Sequence, residues 1–161
     1  NWLSYISDTV STENNYDISS VEFYTCENKL IKLNEIKAKI IVLDFWSSNC
    51  SICYKKFPEL ERLYNQYGDE IVIYAVHLIE KKEEMEDVIE KADKLNYKFP
   101  FGFTTLSQKK LITNSLNITH VPTLVIINHE SKLIYKGEFI TSETVFVNNA
   151  FSIIDKAIQN R

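Results

Sequence analysis

At 161 residues, 45% hydrophobic and 12% aromatic, the chain has the size of one compact domain and enough apolar material to build its core. The formal charge of −4 is scattered, with no basic stripe that could neutralise a run of phosphates, so nucleic acid is not an expected partner. No apolar run approaches the ~20 residues of a membrane helix, and no charged and apolar leader opens the chain.

The opening stretch NWLSYISDTVSTENNYDISS holds few core-forming residues before Val21 and reads as a polar tether over residues 1–20, leaving residues 21–161 as the domain. A removed signal or lipid anchor would leave such a start, and so would a recombinant truncation. VEFYTCENKLIKL predicts two short strands around a Glu27-Asn28-Lys29 turn, then a short helical piece through Ala38. KIIVLDFW, residues 39 to 46, is a continuous apolar run rich in β-branched residues, as in a strand covered on both faces. From about Cys50 the pattern turns helical through Phe57, Leu60, Leu63, Tyr64 and Tyr67. Gly68 is placed to end that helix, and Pro58 is expected to kink it or end its first segment.

EIVIYAVHLI predicts a second buried strand, and KKEEMEDVIEKADKLN an amphipathic helix with a charged outer face. FPFGFTTLSQKKLITNSLNI supplies a short extended piece and a helix from about Ser107 to Leu116. HVPTLVIIN and KLIYKGEF form a hairpin turned at His129, Glu130 and Ser131. A last helix over residues 142 to 159 presents Val145, Phe146, Ala150, Ile153, Ile154 and Ile158 on its apolar side. Alternation of strand and helix predicts an α/β fold with right-handed βαβ connections. No phosphate-cradling glycine loop is present, and no cofactor is expected.

FWSSNCSICYKKFPEL places Cys50 at the end of a buried strand and the first turn of a helix, with Cys53 one turn deeper. Backbone N–H groups and the helix dipole at that position stabilise a thiolate, which makes Cys50 the expected nucleophile and Cys53 the resolving thiol. Attack by Cys53 would release a mixed disulfide formed at Cys50. Metal binding is the first alternative, but half of a zinc site is missing: Cys26 is the only other cysteine, and His77, His120 and His129 lack paired ligand spacing. Two buried thiols without function are the second.

VLDFWSSNCSICYKKFPEL and VPTLVIIN together resemble the CxxC segment and the cis-proline strand of thioredoxin-fold proteins, and most of all the TlpA/ResA group of thiol-disulfide oxidoreductases. The resemblance covers about residues 21 to 158, and the extra strand and helix near 99 to 116 resemble that group's central insertion. It implies a thioredoxin-like fold: a central mixed sheet flanked by helices, with an N-terminal β-hairpin. It further implies a cis bond before Pro122, a Val121 backbone that pairs with a partner segment, and a partner-facing set of Trp46, Ser51, Ile52, Val121 and Pro122. Asp44 stands where thioredoxins bury an aspartate; desolvation should raise its pKa and let it exchange the Cys53 proton. The alternative is an aspartate at a strand end that caps the next helix or meets solvent. The expected partners are protein thiols and disulfides and an upstream redox donor or acceptor protein. A monomer in the cell envelope or periplasm is expected, with any anchor lying outside this chain.

Three positions depart from the group. Asn49 replaces an aromatic residue, Ser51-Ile52 lacks the proline many relatives carry, and Lys56 occupies the place of a glutamate whose proton-handling role does not transfer. The direction of electron flow therefore stays open. Cys26 reads as a partly buried spectator and the charge run from Lys81 to Glu90 as a solvated helix face. His77 and His120 flank strands of the same sheet; His120, two residues before Pro122, reads as a hydrogen-bonded edge histidine, with modulation of the site as the alternative. Two further readings compete on the same fold. A thiol peroxidase would want a proline where Leu43 stands, although Ser47 fits its pattern. A redox-inert or copper-delivering module usually spaces its cysteines by three residues and adds a histidine.

Overall fold

The computed structural model describes residues 16–138 and 143–159, with side chains given for all of these except residues 143–148. The first fifteen residues of the expected tether, and the side chains of Val145 and Phe146, therefore lie outside the described residues. Strands β1 (Glu22–Thr25), β2 (Leu30–Lys32), β3 (Ile40–Trp46), β4 (Ile71–His77), β5 (Phe101–Phe103), β6 (Thr123–Asn128) and β7 (Leu133–Glu138) form one sheet in the order β2-β1-β5-β4-β3-β6-β7. Helices α1 (Ser51–Tyr67), α2 (Met85–Leu95), α3 (Leu106–Ser115) and α4 (Glu143–Gln159) complete the fold. The sheet is mixed: β3, β4 and β5 run parallel, while β1, β2, β6 and β7 join by antiparallel ladders.

All seven residues of β3 are buried, because the strand is interior to the sheet and has packing on both faces. Its alternation divides the core. Ile40, Val42 and Trp46 join Cys53, Phe57, Leu60 and Leu63 of α1, with Ala92 of α2 and Ala150 and Ile154 of α4. Ile41, Leu43 and Phe45 join Ile112 of α3, Leu116 and the N-terminal residues Ile18, Val21 and Phe23. Ile18 sits in a 3₁₀ turn over Ile18–Ser20, held by the Asp17 carboxylate accepting from the Ser19 N–H, so packing begins just ahead of the first strand.

Three local expectations are corrected. The helical piece after β2 is a single 3₁₀ turn, Leu33–Glu35, and ends well before Ala38. Pro58 does not end a segment: α1 runs unbroken through it from Ser51 to Tyr67. Pro58 is solvent-exposed, so the carbonyl that loses its donor lies on the hydrated side of the helix, where water can satisfy it. The run from Lys81 to Glu84 is loop, and α2 starts at Met85 behind a reciprocal Glu84/Asp87 capping box. Gly68 terminates α1 with φ of +54°, and Gly102 lets β5 approach β1, since a Cβ there would lie 2.7 Å from the Phe23 ring.

Candidate active site

The carboxyl ends of β3 and β4 open onto one edge of the sheet, which is where parallel α/β sheets place ligand chemistry. Trp46 ends β3 and is fully buried, its ring meeting the edges of His77 at 4.6 Å, Phe57 at 5.1 Å, and Tyr54 and Phe101 at 5.8 Å. Over this aromatic floor the chain turns through Ser47, Ser48 and Asn49 to Cys50, which caps α1. The Tyr54 hydroxyl donates to the Ser48 carbonyl at 2.9 Å, tying the turn back to the helix it feeds.

Cys50 and Cys53 form a disulfide with Cα atoms 5.3 Å apart. The Cys50 sulfur accepts from the Cys53 N–H at 3.2 Å, so the first turn of α1 already directs a backbone donor at it. Cys50 is partly exposed, whereas Cys53 has no exposure at all. The Val121–Pro122 peptide bond is cis, and the Val121 carbonyl oxygen lies 3.8 Å from the Cys50 sulfur. The loop is held from behind by the Thr123 hydroxyl, which donates to the His120 carbonyl at 2.5 Å.

The five residues expected to face a partner fall into two groups. Ser51 and Ile52 are exposed and Val121 is half-buried, so these three reach the surface around Cys50. Trp46 and Pro122 are buried, so they lie beneath the surface that these three residues present.

Asp44 is interior and not a cap: its residue exposure is 2%, and neither carboxylate oxygen has a hydrogen-bond partner among the described residues. Alternation puts it on the same face of β3 as Val42 and Trp46, the face that α1 covers with Cys53, Phe57 and Leu60. Burial raises its pKa from 3.8 to about 8, against the opposing pull of the Lys56 ammonium. Lys56 is itself buried at 2% exposure, one turn beyond Cys53 on the inner face of α1. Sequence reading noted Lys56 only as a substitution. Its helical phase, between Cys53 and Leu60, is the signal that places it inside.

The neighbouring strand supplies His77, which pairs in register with Trp46. It ends β4, an interior strand, with no solvent exposure. Its Nε2 lies 2.8 Å from the Ser48 hydroxyl and 3.2 Å from a Glu83 carboxylate oxygen, and Ser48 donates to the same carboxylate oxygen at 3.0 Å. Burial, followed by Lys91 and Lys109, pushes its pKa from 6.5 to about 4, so it is neutral near pH 7. The cluster fastens the turn before Cys50 to the β4–α2 loop. Glu83 and Ser48 share one ring nitrogen while Nδ1 has no partner among the described residues, an arrangement unlike a hydrolytic triad, where the carboxylate orients the opposite nitrogen. Cys26 is remote from this turn and half-buried, and burial, Glu27 and Asp93 raise its thiol to about 11. It is thus a poor nucleophile near neutrality.

Residues 37–133 match the family model described as Thioredoxin-like. The chain is 24% identical over 129 residues to the thioredoxin-like protein YneN of Bacillus subtilis, an overlap covering 80% of this chain and 74% of YneN. It is 25% identical over 110 residues to the thiol-disulfide oxidoreductase ResA of Halalkalibacterium halodurans, covering 67% of this chain and 58% of ResA. The crystal structure of an exposed lipoprotein thioredoxin from Streptococcus pneumoniae superposes with a TM-score of 0.66 at 23% identity, over 81% of this chain and 97% of that one. At this identity the likeness speaks for the fold.

Proposed function

This chain belongs to the thioredoxin-like family, and from that premise we propose that it is a thiol-disulfide oxidoreductase that exchanges its Cys50–Cys53 pair with protein thiols and disulfides. The observation that carries the reading is the paired placement of the two sulfurs. Cys50 caps α1 at the surface, 3.8 Å from the Val121 carbonyl, and Cys53 is sealed beneath it.

In the reduced protein the Cys50 thiolate attacks a partner disulfide. A Cys50–partner S–S bond forms, the partner's own S–S bond breaks, and the departing partner sulfur takes a proton. Cys53 then gives up its proton and attacks the Cys50 sulfur. The mixed disulfide breaks, the partner leaves as a dithiol, and Cys50–Cys53 holds the two-electron oxidation. Read backwards, the same steps oxidise a partner, and an upstream thiol or disulfide protein resets the pair. Cys53 is buried and one turn in from the helix amides that favour Cys50, so its ionisation needs an acceptor. The ionised form of Asp44 on the facing strand takes that proton, and its share grows as pH rises towards the carboxyl's pKa of about 8. Val121 offers its backbone to an extended partner segment, with Ser51 and Ile52 bordering the contact. The domain, whose packing begins at Ile18, acts as a monomer in the cell envelope. This placement is supported by the likeness to an exposed lipoprotein thioredoxin.

Trapping tests the reading. A Cys53→Ser variant removes resolution but not attack, so it should accumulate mixed disulfides through Cys50 when offered a disulfide-bonded protein. Accumulation by Cys50→Ser instead, or by neither variant, overturns it.

A further inference from the structure

A cleft of about 760 Å³ begins immediately before the disulfide, at Ser48 and Asn49, and runs between the β4–α2 loop and α3. A smaller hollow of about 180 Å³ continues it to Val121, and the two share Glu80, Lys109 and Thr113 along their walls. The two hollows adjoin along this side of the site, the larger meeting the turn before Cys50 and the smaller the loop before Pro122.

The lining is strongly cationic in a chain whose net charge is −4. Lys81, Lys82, Lys91, Lys109 and Lys110 all line the larger part, against two acids, Glu80 and Glu83. Both acids are engaged within the protein: Glu80 pairs with Lys109 at 3.6 Å, and Glu83 is held by Ser48 at 3.0 Å and His77 at 3.2 Å. Lys109 also donates to the Ile79 carbonyl at 3.0 Å. Lys81, Lys82 and Lys110 are exposed, and their ammonium groups have no ion-pair partner among the described residues. Leu106, 51% exposed, adds an apolar contact on the same wall. Sequence reading took the start of this charge run for a solvated helix face, but as a loop it folds over the groove.

Resting on the exchange reading above, we propose that this groove binds an acidic stretch of the partner polypeptide lying beside its reactive cysteine. A cleft that starts at Ser48 and Asn49, in the turn just before the attacking cysteine, and a hollow that reaches Val121 suit an extended chain, and three ammonium groups without an ion-pair partner among the described residues suit carboxylate side chains. A cleft in which one sign of charge predominates focuses its field and raises encounter rates by factors from about 10 upward.

The test uses the full chain in reduced form and three disulfide-linked peptides of equal length, flanked on one side by Glu, Gln or Lys triplets. Second-order rates are read at about 0.01 M salt, where charges act over roughly 30 Å, and at about 1 M, where they act over roughly 3 Å. The acidic peptide should react about tenfold faster than the neutral one at low salt and lose the advantage at high salt. In a Lys81→Gln/Lys82→Gln/Lys110→Gln variant that ratio should fall towards one. A ratio near one in the natural chain, or one that the triple variant preserves, overturns the acidic-partner proposal and leaves the exchange reading standing. No reaction with even the neutral peptide overturns both.

Discussion

Replacing Asp44 with asparagine keeps the side-chain shape and removes the ability to ionise. Burial lifts the Asp44 carboxyl from 3.8 in the open chain to about 8 in the fold. Below pH 4 both states are protonated and the residue costs nothing. Between about 4 and 8 the unfolded chain ionises while the folded one stays protonated. Folding then requires proton uptake, and stability falls by about 1.4 kcal/mol for each pH unit. Above about 8 the folded group ionises too and the penalty levels off. The stability of Asp44→Asn should therefore gain on the natural protein as pH rises, by about 2 kcal/mol between pH 6 and 8 once the levelling near 8 is allowed for. His77 acts oppositely, since its pKa is lowered from 6.5 to about 4: its contribution is present above pH 6.5 and lost as pH falls towards 4. It is common to both proteins and cancels in the difference. Urea unfolding of the oxidised proteins at several pH values measures that difference directly. A gap that does not change with pH would refute the account of Asp44 as a carboxyl kept neutral by burial.

Lys56→Met removes the charge that draws Asp44 down, so the pH profile for resolving a Cys50 mixed disulfide should move to higher pH. A profile that stays put or moves lower, in stopped-flow release of a trapped adduct, would disconnect the two residues. Ser48→Ala strips the hydroxyl shared by His77 and Glu83 and should cost about 1 kcal/mol; an unchanged urea midpoint would show that the cluster does not hold the turn. Phe57 meets the rings of Trp46, Tyr54, Tyr97, Phe99 and Phe101. Phe57→Ala should thus cost about 3–5 kcal/mol, and a loss under 1 kcal/mol would deny it that central place.

The strands and helices that position the site were legible because their patterns are local. The unbroken apolar run of β3 announced a strand covered on both faces, and Gly68 marked the end of α1 by its backbone freedom. Cys50 and Cys53 were legible because residue type and spacing carry their chemistry, and Pro122 because VPTLVIIN resembles the cis-proline strand of thioredoxin-fold proteins. Contacts between distant segments were harder to read. His77 meets Ser48 and Glu83 only because parallel pairing sets Trp46 beside His77 and turns both chain ends to one edge. Lys56 was passed over because charge was weighed ahead of helical phase. The lysine-lined groove draws on two separate segments, residues 80–91 and 106–113, whose neighbourhood is a matter of topology. Pro58 misled because propensity treats every interior proline alike, whereas here the lost donor falls on the hydrated side of α1.

Equilibrating the protein in glutathione buffers of graded redox poise, with the Cys50–Cys53 state read by alkylation and mass, addresses the central claim most directly. Reversible two-electron exchange predicts a single transition with a tenfold change in equilibrium for each ~30 mV, absent in Cys50→Ser and unaffected by Cys26→Ser. A pair that stays locked in one state across all buffers, or a transition that depends on Cys26, would contradict it.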